Sequence, residues 1–286
     1  TLLENSKNAI SQKKTAWSEV NTKLNSLKSS ASALAELSDF DLYTSSTSVS
    51  GTNRAAADMI TFAVGTNAAQ GTYAITVDRL ARSEKQASAA FESSSDALGL
   101  SGEILVNGHS VTVSAADTLS DLRSKINALN TGEDPAGVTA SIIKVSDTEY
   151  RLTLTAQETG AEGFTIEDGE GSDVLSSLGL TTIQEGQDAQ ITVDGFTITR
   201  SSNQISDVIP GVTMNLIDAQ DGATITLDVV RDTDAVKKKI QDFVDAYNAL
   251  MDYINDQNTA SSDGKTTKPL FGDSSLQSVK SSIRNV

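Results

Sequence analysis

Residues 17–34 read WSEVNTKLNSLKSSASAL. Apolar residues recur in this stretch at alternating steps of three and four, which places them on one stripe of a mostly polar helix, as in the seam of a coiled coil. Leu3 and Ile10 continue the repeat toward the amino terminus, so we expect one long helix over residues 1–45. The residues predicted to form the seam are Trp17, Val20, Leu24, Leu27 and Leu34.

A second stripe of the same kind lies near the other end of the chain. Its members are Val236, Ile240, Phe243, Tyr247, Leu250 and Ile254. Neither stripe is expected to be stable alone, because most helices in proteins depend on packing of an apolar face. We therefore predict that the two helices pack on each other in an antiparallel coiled-coil stalk, with Trp17 as a core residue rather than an exposed recognition aromatic. Asp273 is expected to cap one further helix.

The chain between the two stripes is typical of β-structure. Alternating apolar residues predict strands at 58–65 and 72–78, joined by a hairpin loop at 67–71. Asn107-Gly108 and Asp194-Gly195 are the residue pairs that type I′ hairpin turns prefer. Further elements predicted from the pattern are a helix at 118–130 with Thr118 and Asp121 as its capping pair, and strands at 138–145, 149–155, 212–217 and 223–230.

The sequence repeats itself weakly. Residues 104–108 (ILVNG) align with residues 191–195 (ITVDG), and residues 119–122 (LSDL) align with residues 205–208 (ISDV). Two copies are too few for a solenoid, so they suggest two related β-modules.

Charge separates one segment from the rest. Residues 92–188 carry 17 acidic and 4 basic side chains, which accounts for most of the net charge of −16. We interpret this segment as an acidic β-rich domain with one helix, inserted into a β-rich domain made of residues 46–91 and 189–231. Residues 1–45 and 232–286 would then form the helical coiled-coil stalk, so the predicted class is α+β multidomain.

Composition excludes several classes of function. The 286 residues include no cysteine and one histidine, which removes disulfides, thiol nucleophiles and His-pair metal sites. The strongly negative charge argues against nucleic-acid binding, and no apolar run is long enough to predict insertion into a membrane. No charged-then-apolar signal peptide is visible after Thr1, and the helical patterns at both ends suggest a fragment of a longer protein.

Three local features could carry chemistry, and each has a simpler interpretation. His109 follows a predicted turn, the acidic stretch 168–173 resembles a calcium loop with its glycines misplaced, and Lys237–Lys239 open a helix. We interpret all three as surface side chains. We predict no enzyme activity, no catalytic or metal-binding residue and no cofactor, although a carboxylate pair could be hidden among the acids of 92–188.

Five stretches, in order along the chain, resemble the bacterial flagellar filament cap family, the hook-associated protein 2 family. Residues 69–81 resemble its A-x-G-x-Y-x-I-x-V-x-x-L-A stretch, and residues 118–127 resemble the IN motif that flagellins share. Asp194-Gly195, Arg200, Asn203 and Pro210–Thr213 resemble a third stretch, in which Met214 replaces the usual Leu. Residues 243–248 (FVDAYN) match F-V-x-x-Y-N, and residues 270–273 (LFGD) resemble L-x-G-D.

The resemblance implies a structural protein rather than an enzyme. Members of the family form an oligomeric ring at the distal tip of the filament, expected to be a pentamer, and promote folding and polymerisation of exported flagellin. The implied partners are flagellin and other flagellar axial proteins, with an extracellular location reached without a cleaved signal peptide. Some members also contribute to adhesion.

Two alternatives remain open at this point. A hook–filament junction protein or a flagellin would also carry the IN motif and helical ends, although residues 211–213 and 243–248 favour the cap. An extracellular carbohydrate-binding adhesin on a helical stalk is disfavoured, because the acidic segment holds few aromatic residues for a sugar to stack on.

Overall fold

The computed structural model describes residues 1–260 and 267–285. The helices in these ranges are α1 Leu2–Ser32, α2 Leu119–Ala128, α3 Val174–Leu178, α4 Thr233–Gln257 and α5 Ser274–Arg284. The strands are β1 Tyr43–Ser50, β2 Ile60–Val64, β3 Gly71–Arg79, β4 Lys85–Ala87, β5 Gly102–Val106, β6 His109–Val113, β7 Val138–Ser146, β8 Glu149–Ala156, β9 Ile166–Asp168, β10 Thr181–Gln184, β11 Ala189–Val193, β12 Phe196–Arg200, β13 Gln204–Ile209, β14 Val212–Leu216 and β15 Thr224–Arg231.

The first helix is shorter than the predicted span of 1–45. α1 starts after Thr1, whose side chain accepts a hydrogen bond from the Glu4 N–H, and ends at Ser32. A short 3-10 turn covers Leu37–Phe40, and β1 follows. The serine-rich end of α1 favours termination, since serine hydroxyls compete for backbone groups; the Ser30 hydroxyl donates to the Leu27 carbonyl at 3.0 Å. The sequence pattern did not predict β1, because this strand consists almost entirely of Ser and Thr.

The described residues group into two compact units. A helical unit holds the described residues of 1–44, 65–67, 230–260 and 267–285, and a β-unit holds residues 45–64 and 68–229. The part of the predicted loop 256–269 that falls at 261–266 lies outside the described residues. No helix in the described part of the chain is both long and apolar enough to cross a bilayer.

Two sheets of the β-unit use the strands that flank the middle of the chain, and we call them the flanking sheets. One has the strand order β1-β15-β3-β11-β12, and the other has the order β13-β14-β2. The predicted hairpin at 67–71 is wrong, because β2 pairs with β14 while β3 lies between β15 and β11. The chain therefore crosses from one flanking sheet to the other after Val64, a long-range arrangement that no local turn pattern reveals.

The other two sheets lie within residues 85–184, which we call the inserted block. Their strand orders are β10-β4-β8-β7 and β6-β5-β9. α2 begins with the predicted capping pair: the Thr118 side chain accepts from the Asp121 N–H, and the Asp121 carboxylate accepts from the Thr118 N–H. One hydrophobic core serves the inserted block, and its fully buried members include Ile104, Val106, Leu119, Leu122, Ile126, Val138, Leu152 and Leu154. The division into two β-domains at residues 92 and 188 stays a prediction.

Both predicted type I′ turns are present. Asn107 and Gly108 connect β5 to β6 with φ of 48° and 82°, and Asp194 and Gly195 connect β11 to β12 with φ of 49° and 85°. The structural similarity between the two copies of the sequence repeat is limited to these hairpins. Residues 119–122 are helical in α2, whereas residues 205–208 are extended in β13, so the expectation of two related β-modules holds only for the hairpins.

Candidate functional site

Three helices share the core of the helical unit. Val20 of α1, Leu250 and Ile254 of α4 and Leu276 of α5 are fully buried together. The Tyr253 hydroxyl donates to the Ala16 carbonyl at 3.4 Å near one end, and the Lys239 ammonium donates to the Asp39 carbonyl at 2.8 Å near the other. Since positions rise along one segment as they fall along the other, α1 and α4 run antiparallel.

The predicted seam residues fall into three groups. Val20, Leu250 and Ile254 are buried, and Trp17, Leu24, Leu27, Val236, Phe243 and Tyr247 are half-buried. Leu34 is half-buried but lies past the end of α1, and Ile240 is 46% exposed. At the start of α1, Leu3 is 80% and Ile10 is 70% exposed. The described contacts therefore concentrate around Val20 and Leu250, and the role of each residue in a coiled-coil seam stays a prediction.

An apolar groove opens beside this core. It has a volume of about 430 Å³ and is lined by residues of α1, α4 and α5, namely Leu27, Ala31, Phe243, Tyr247 and Ile283. Ile240 and Val244 lie within one turn of Phe243 and Tyr247 on α4, and each is more than two fifths exposed. Together they extend the apolar surface along α4.

Polar contacts fix α5 against α1. The Lys13 ammonium lies 2.8 Å from the Asp273 carboxylate, which also accepts from the Ser275 N–H at 2.9 Å and so caps α5. The hydrogen bond from Lys13 lowers the pKa of Asp273 below its ordinary value. The Lys23 ammonium sits 5.6 Å from the centre of the Tyr253 ring, and burial raises the pKa of that phenol.

The three local features with possible chemistry have structural partners. The Asp168 carboxylate accepts hydrogen bonds from the Val174 and Leu175 N–H groups, both at 3.0 Å, and so provides a partner for the first backbone N–H groups of α3. The His109 imidazole lies 3.8 Å from Asp134 at the surface, and Lys238 pairs with Asp242 at 2.9 Å. Within the described residues, no group of three or more His, Cys, Asp or Glu side chains could hold a metal ion.

Two stretches that carry the family resemblance meet in the β-unit. The Asn203 amide donates to the Ala81 carbonyl at 3.0 Å, and the Ala81 N–H donates to the Asn203 carbonyl oxygen at 2.8 Å. Arg200 forms an ion pair with Asp207 at 2.9 Å, and its hydrogen bonds lower the pKa of that carboxyl. Sequence reasoning quoted Asn203 and Ala81 as pattern positions but did not predict their contact, because nothing in a linear pattern pairs residues so far apart.

Edge strand β12 adds an exposed aromatic side chain. Phe196 is 74% exposed, and with Tyr73, Ile198 and Pro210 it borders a depression of about 310 Å³. Sequence reasoning missed this surface, since alternation along a strand does not tell which face is covered.

Family models match three segments of the chain. The model of the flagellar hook-associated protein 2 amino terminus matches residues 1–84, and the model of its carboxyl terminus matches residues 186–286. Between them, the flagellin hook IN motif matches residues 101–158, which include the predicted motif at 118–127.

Curated relatives carry the same description over much of the chain. The B-type flagellar hook-associated protein 2 of Pseudomonas aeruginosa is 31% identical over 259 residues, which cover 80% of this chain and 54% of that protein. The flagellar hook-associated protein 2 of Escherichia coli K12 is 28% identical, with 100% of this chain and 64% of that protein covered. The chain thus spans between about half and two thirds of the length of these relatives.

Solved structures agree with the sequence comparisons. The D1-D2-D3 domains of the flagellar cap protein FliD from Escherichia coli superpose on 95% of this chain and 76% of that one, with a TM-score of 0.72 at 28% identity. FliD (HAP2) of Pseudomonas aeruginosa PAO1 superposes with a TM-score of 0.60 at 31% identity, over 71% of this chain and 98% of that one. The chain belongs to the flagellar hook-associated protein 2 family, the family of flagellar cap proteins.

Proposed function

We propose that this chain forms the main part of a cap at the distal tip of the bacterial flagellar filament, where it promotes the folding and polymerisation of flagellin. The observation that carries the proposal is the superposition of 95% of the chain on the three-domain flagellar cap structure from Escherichia coli. The order of elements, with helices at both ends of a β-rich middle, matches the layout that the cap resemblance implies.

The helical unit is proposed to be a coiled-coil stalk that points toward the filament. Support comes from the antiparallel packing of α1 on α4 and from their shared buried residues Val20, Leu250 and Ile254. The alternation of three and four residues in both helices is the spacing that knobs-into-holes packing requires.

We propose further that the chain assembles into a homo-oligomeric ring, with five copies as the family-level expectation, and that flagellin and other axial proteins bind it outside the cell. No cleaved signal peptide is needed for the proposed export. A ring requires a head-to-tail interface whose rotation closes. The net charge of −16 makes neighbouring copies repel, and salt screens that repulsion over about 8 Å at physiological ionic strength.

The charge leads to a prediction about assembly. We expect association to strengthen as salt rises, measured by sedimentation of the protein at low and high ionic strength. Association that weakens with salt would contradict the repulsion argument, and a strict monomer at high concentration would contradict the ring.

Gene deletion in the source bacterium tests the proposed function. We expect the deletion strain to lack filaments and to release flagellin monomers into the medium, and a plasmid copy of the parent gene to restore filaments. Filaments of normal length and number in the deletion strain would overturn the proposal.

A further inference from the structure

The two chain connections between the flanking sheets and the inserted block are joined to each other. The Arg82 N–H donates to the Gln187 carbonyl at 2.8 Å, and the Gln187 N–H donates back to the Arg82 carbonyl at 3.0 Å. The Gln187 side-chain amide also donates to the Leu80 carbonyl at 2.8 Å. The incoming and outgoing connections thus form a short ribbon of paired backbone rather than two separate segments.

A loop of the inserted block reaches back to this ribbon and past it. The Gly160 N–H donates to the Arg82 carbonyl at 3.1 Å, and the Ala161 N–H donates to the Asp188 carboxylate at 2.8 Å. The Thr159 hydroxyl donates at 2.6 Å to the carbonyl of Ser201, which lies in the loop between β12 and β13 of the flanking sheets. This loop therefore ties the block to two separate parts of its surroundings.

The loop between β12 and β13 also binds the ribbon. The Asn203 side chain makes both of its hydrogen bonds with the backbone of Ala81, which is only 5% exposed. Buried backbone groups need partners, and here one side chain supplies both. Asn203 thus joins the β12–β13 loop to the ribbon, and Thr159 joins the same loop to the inserted block.

The approach of these segments leaves no room for side chains at two positions. A Cβ atom on Gly160 would lie 2.8 Å from the Ser201 Cβ, and its φ of +129° disfavours other residues. A Cβ atom on Gly186 would lie 2.3 Å from the Gly160 carbonyl oxygen. The segments are therefore in direct contact at Gly160 and Gly186.

We propose that residues 80–82, 159–161, 186–188 and 201–203 form a collar that holds the inserted block in one orientation on the flanking sheets, with Asn203 and Thr159 as positioning residues. Two peptide connections alone would leave a hinge, because a few loop residues suffice to absorb a domain rotation. The collar replaces that hinge with hydrogen bonds among its four segments. The inference concerns the β-unit alone and stands whether or not the chain caps a filament.

Distance measurements between spin labels test the collar in the full chain. The protein has no cysteine, so Thr148→Cys in the inserted block and Ser206→Cys in β13 give two labelling sites at exposed positions. Double electron–electron resonance should show one narrow distance distribution in the parent. Adding Asn203→Ala should broaden it by about twofold or more, as expected when a hinge is freed.

A matched control separates the collar from general destabilisation. Asn127 makes the same pair of backbone hydrogen bonds with Ala140, both at 2.8 Å, but entirely within the inserted block. Asn127→Ala should lower the free energy of unfolding by a similar amount and leave the distribution narrow. If it broadens the distribution as much as Asn203→Ala does, the collar is refuted.

A milder variant keeps the proposal testable if Asn203→Ala fails to fold. Thr159→Val keeps the shape of the side chain and removes only the hydroxyl bond to Ser201, so it should broaden the distribution while the circular dichroism spectrum is unchanged. A broad distribution in the parent would overturn the proposal. Narrow distributions in every folded collar variant would overturn it equally.

Discussion

Replacing Leu250 by alanine removes three carbon atoms from the centre of the helical unit. Leu250 is fully buried and shares the core with Ala16, Val20 and Leu276. Transfer of three buried carbons contributes about 2.4 kcal/mol at ~0.8 kcal/mol each. The cavity left behind adds to this, so we expect a total loss of about 3–5 kcal/mol in the free energy of unfolding.

The helical unit offers its own signal for the measurement. Trp17 is the single tryptophan of the chain and packs against the same core, so its fluorescence reports on this unit during a urea titration. Helical circular dichroism gives a second signal, because α1, α4 and α5 hold 31, 25 and 11 residues against 10 and 5 in α2 and α3. We expect the urea midpoint to fall by roughly 2 M.

Leu3→Ala is the matched control. It makes the same chemical change in α1 at a side chain that is 80% exposed, and alanine favours the helix at least as well as leucine. We expect a change within about 0.5 kcal/mol. If Leu250→Ala and Leu3→Ala shift the midpoint by the same amount, the packing of α4 on α1 is not what stabilises the unit, and the reasoning fails.

Three further changes follow from described contacts. Asn107→Ala should lower the free energy of unfolding of the inserted block in urea by about 2–4 kcal/mol. Its φ is 48°, and its side chain donates to the Ala136 carbonyl and accepts from the Thr165 N–H. A smaller loss of free energy than that caused by Asn107→Gly would contradict this prediction. Thr118→Ala should cost about 1 kcal/mol by the same assay, and Thr118→Ser should restore most of it. The pKa of Asp273 is lowered, so its ion pair with Lys13 stabilises the helical unit fully above the ordinary carboxyl pKa of about 3.9 and is lost as the pH falls through the lower folded value. The urea midpoint from Trp17 fluorescence should therefore fall less between about pH 5 and pH 2 in Lys13→Gln than in the parent, and equal falls would show that the pair contributes nothing.

Local chemistry made the hairpins and α2 predictable. Asn107-Gly108 and Asp194-Gly195 adopt positive φ because these residues tolerate it, and that preference depends on no other part of the chain. The two aligned segments of the sequence repeat, residues 119–122 and 205–208, differ in structure for equally local reasons. Thr118 caps α2, while Gln204 stands at the aligned position as the first residue of β13 and offers no such cap. The following Ile205 is β-branched and favours a strand.

Long-range pairing was the part that could not be predicted. The strands β2 and β3 are neighbours in sequence and were expected to pair, but their hydrogen-bonded partners lie more than a hundred residues away. These partners are β14 for β2, and β11 and β15 for β3. The apolar groove also depends on contacts between distant parts of the chain, since Ile283 lies beside Leu27 and Phe243 only when the three helices are packed together. The family resemblance indicated which positions matter, such as Asn203, but gave no account of what they touch.

The antiparallel packing of α1 on α4 also sets the order in which the molecule can form. About 200 residues separate Ser32 from Thr233, so joining the two helices means closing a very long loop, whose entropic cost grows with the logarithm of its length. Prior folding of the β-unit brings positions 45 and 229 into one compact body and shortens the free chain that must be closed. The helical unit should therefore be the last part to assemble on the ribosome or on release from any channel. Until residue 250 is free, α1 has no partner for Val20 and remains a marginal, exposed helix.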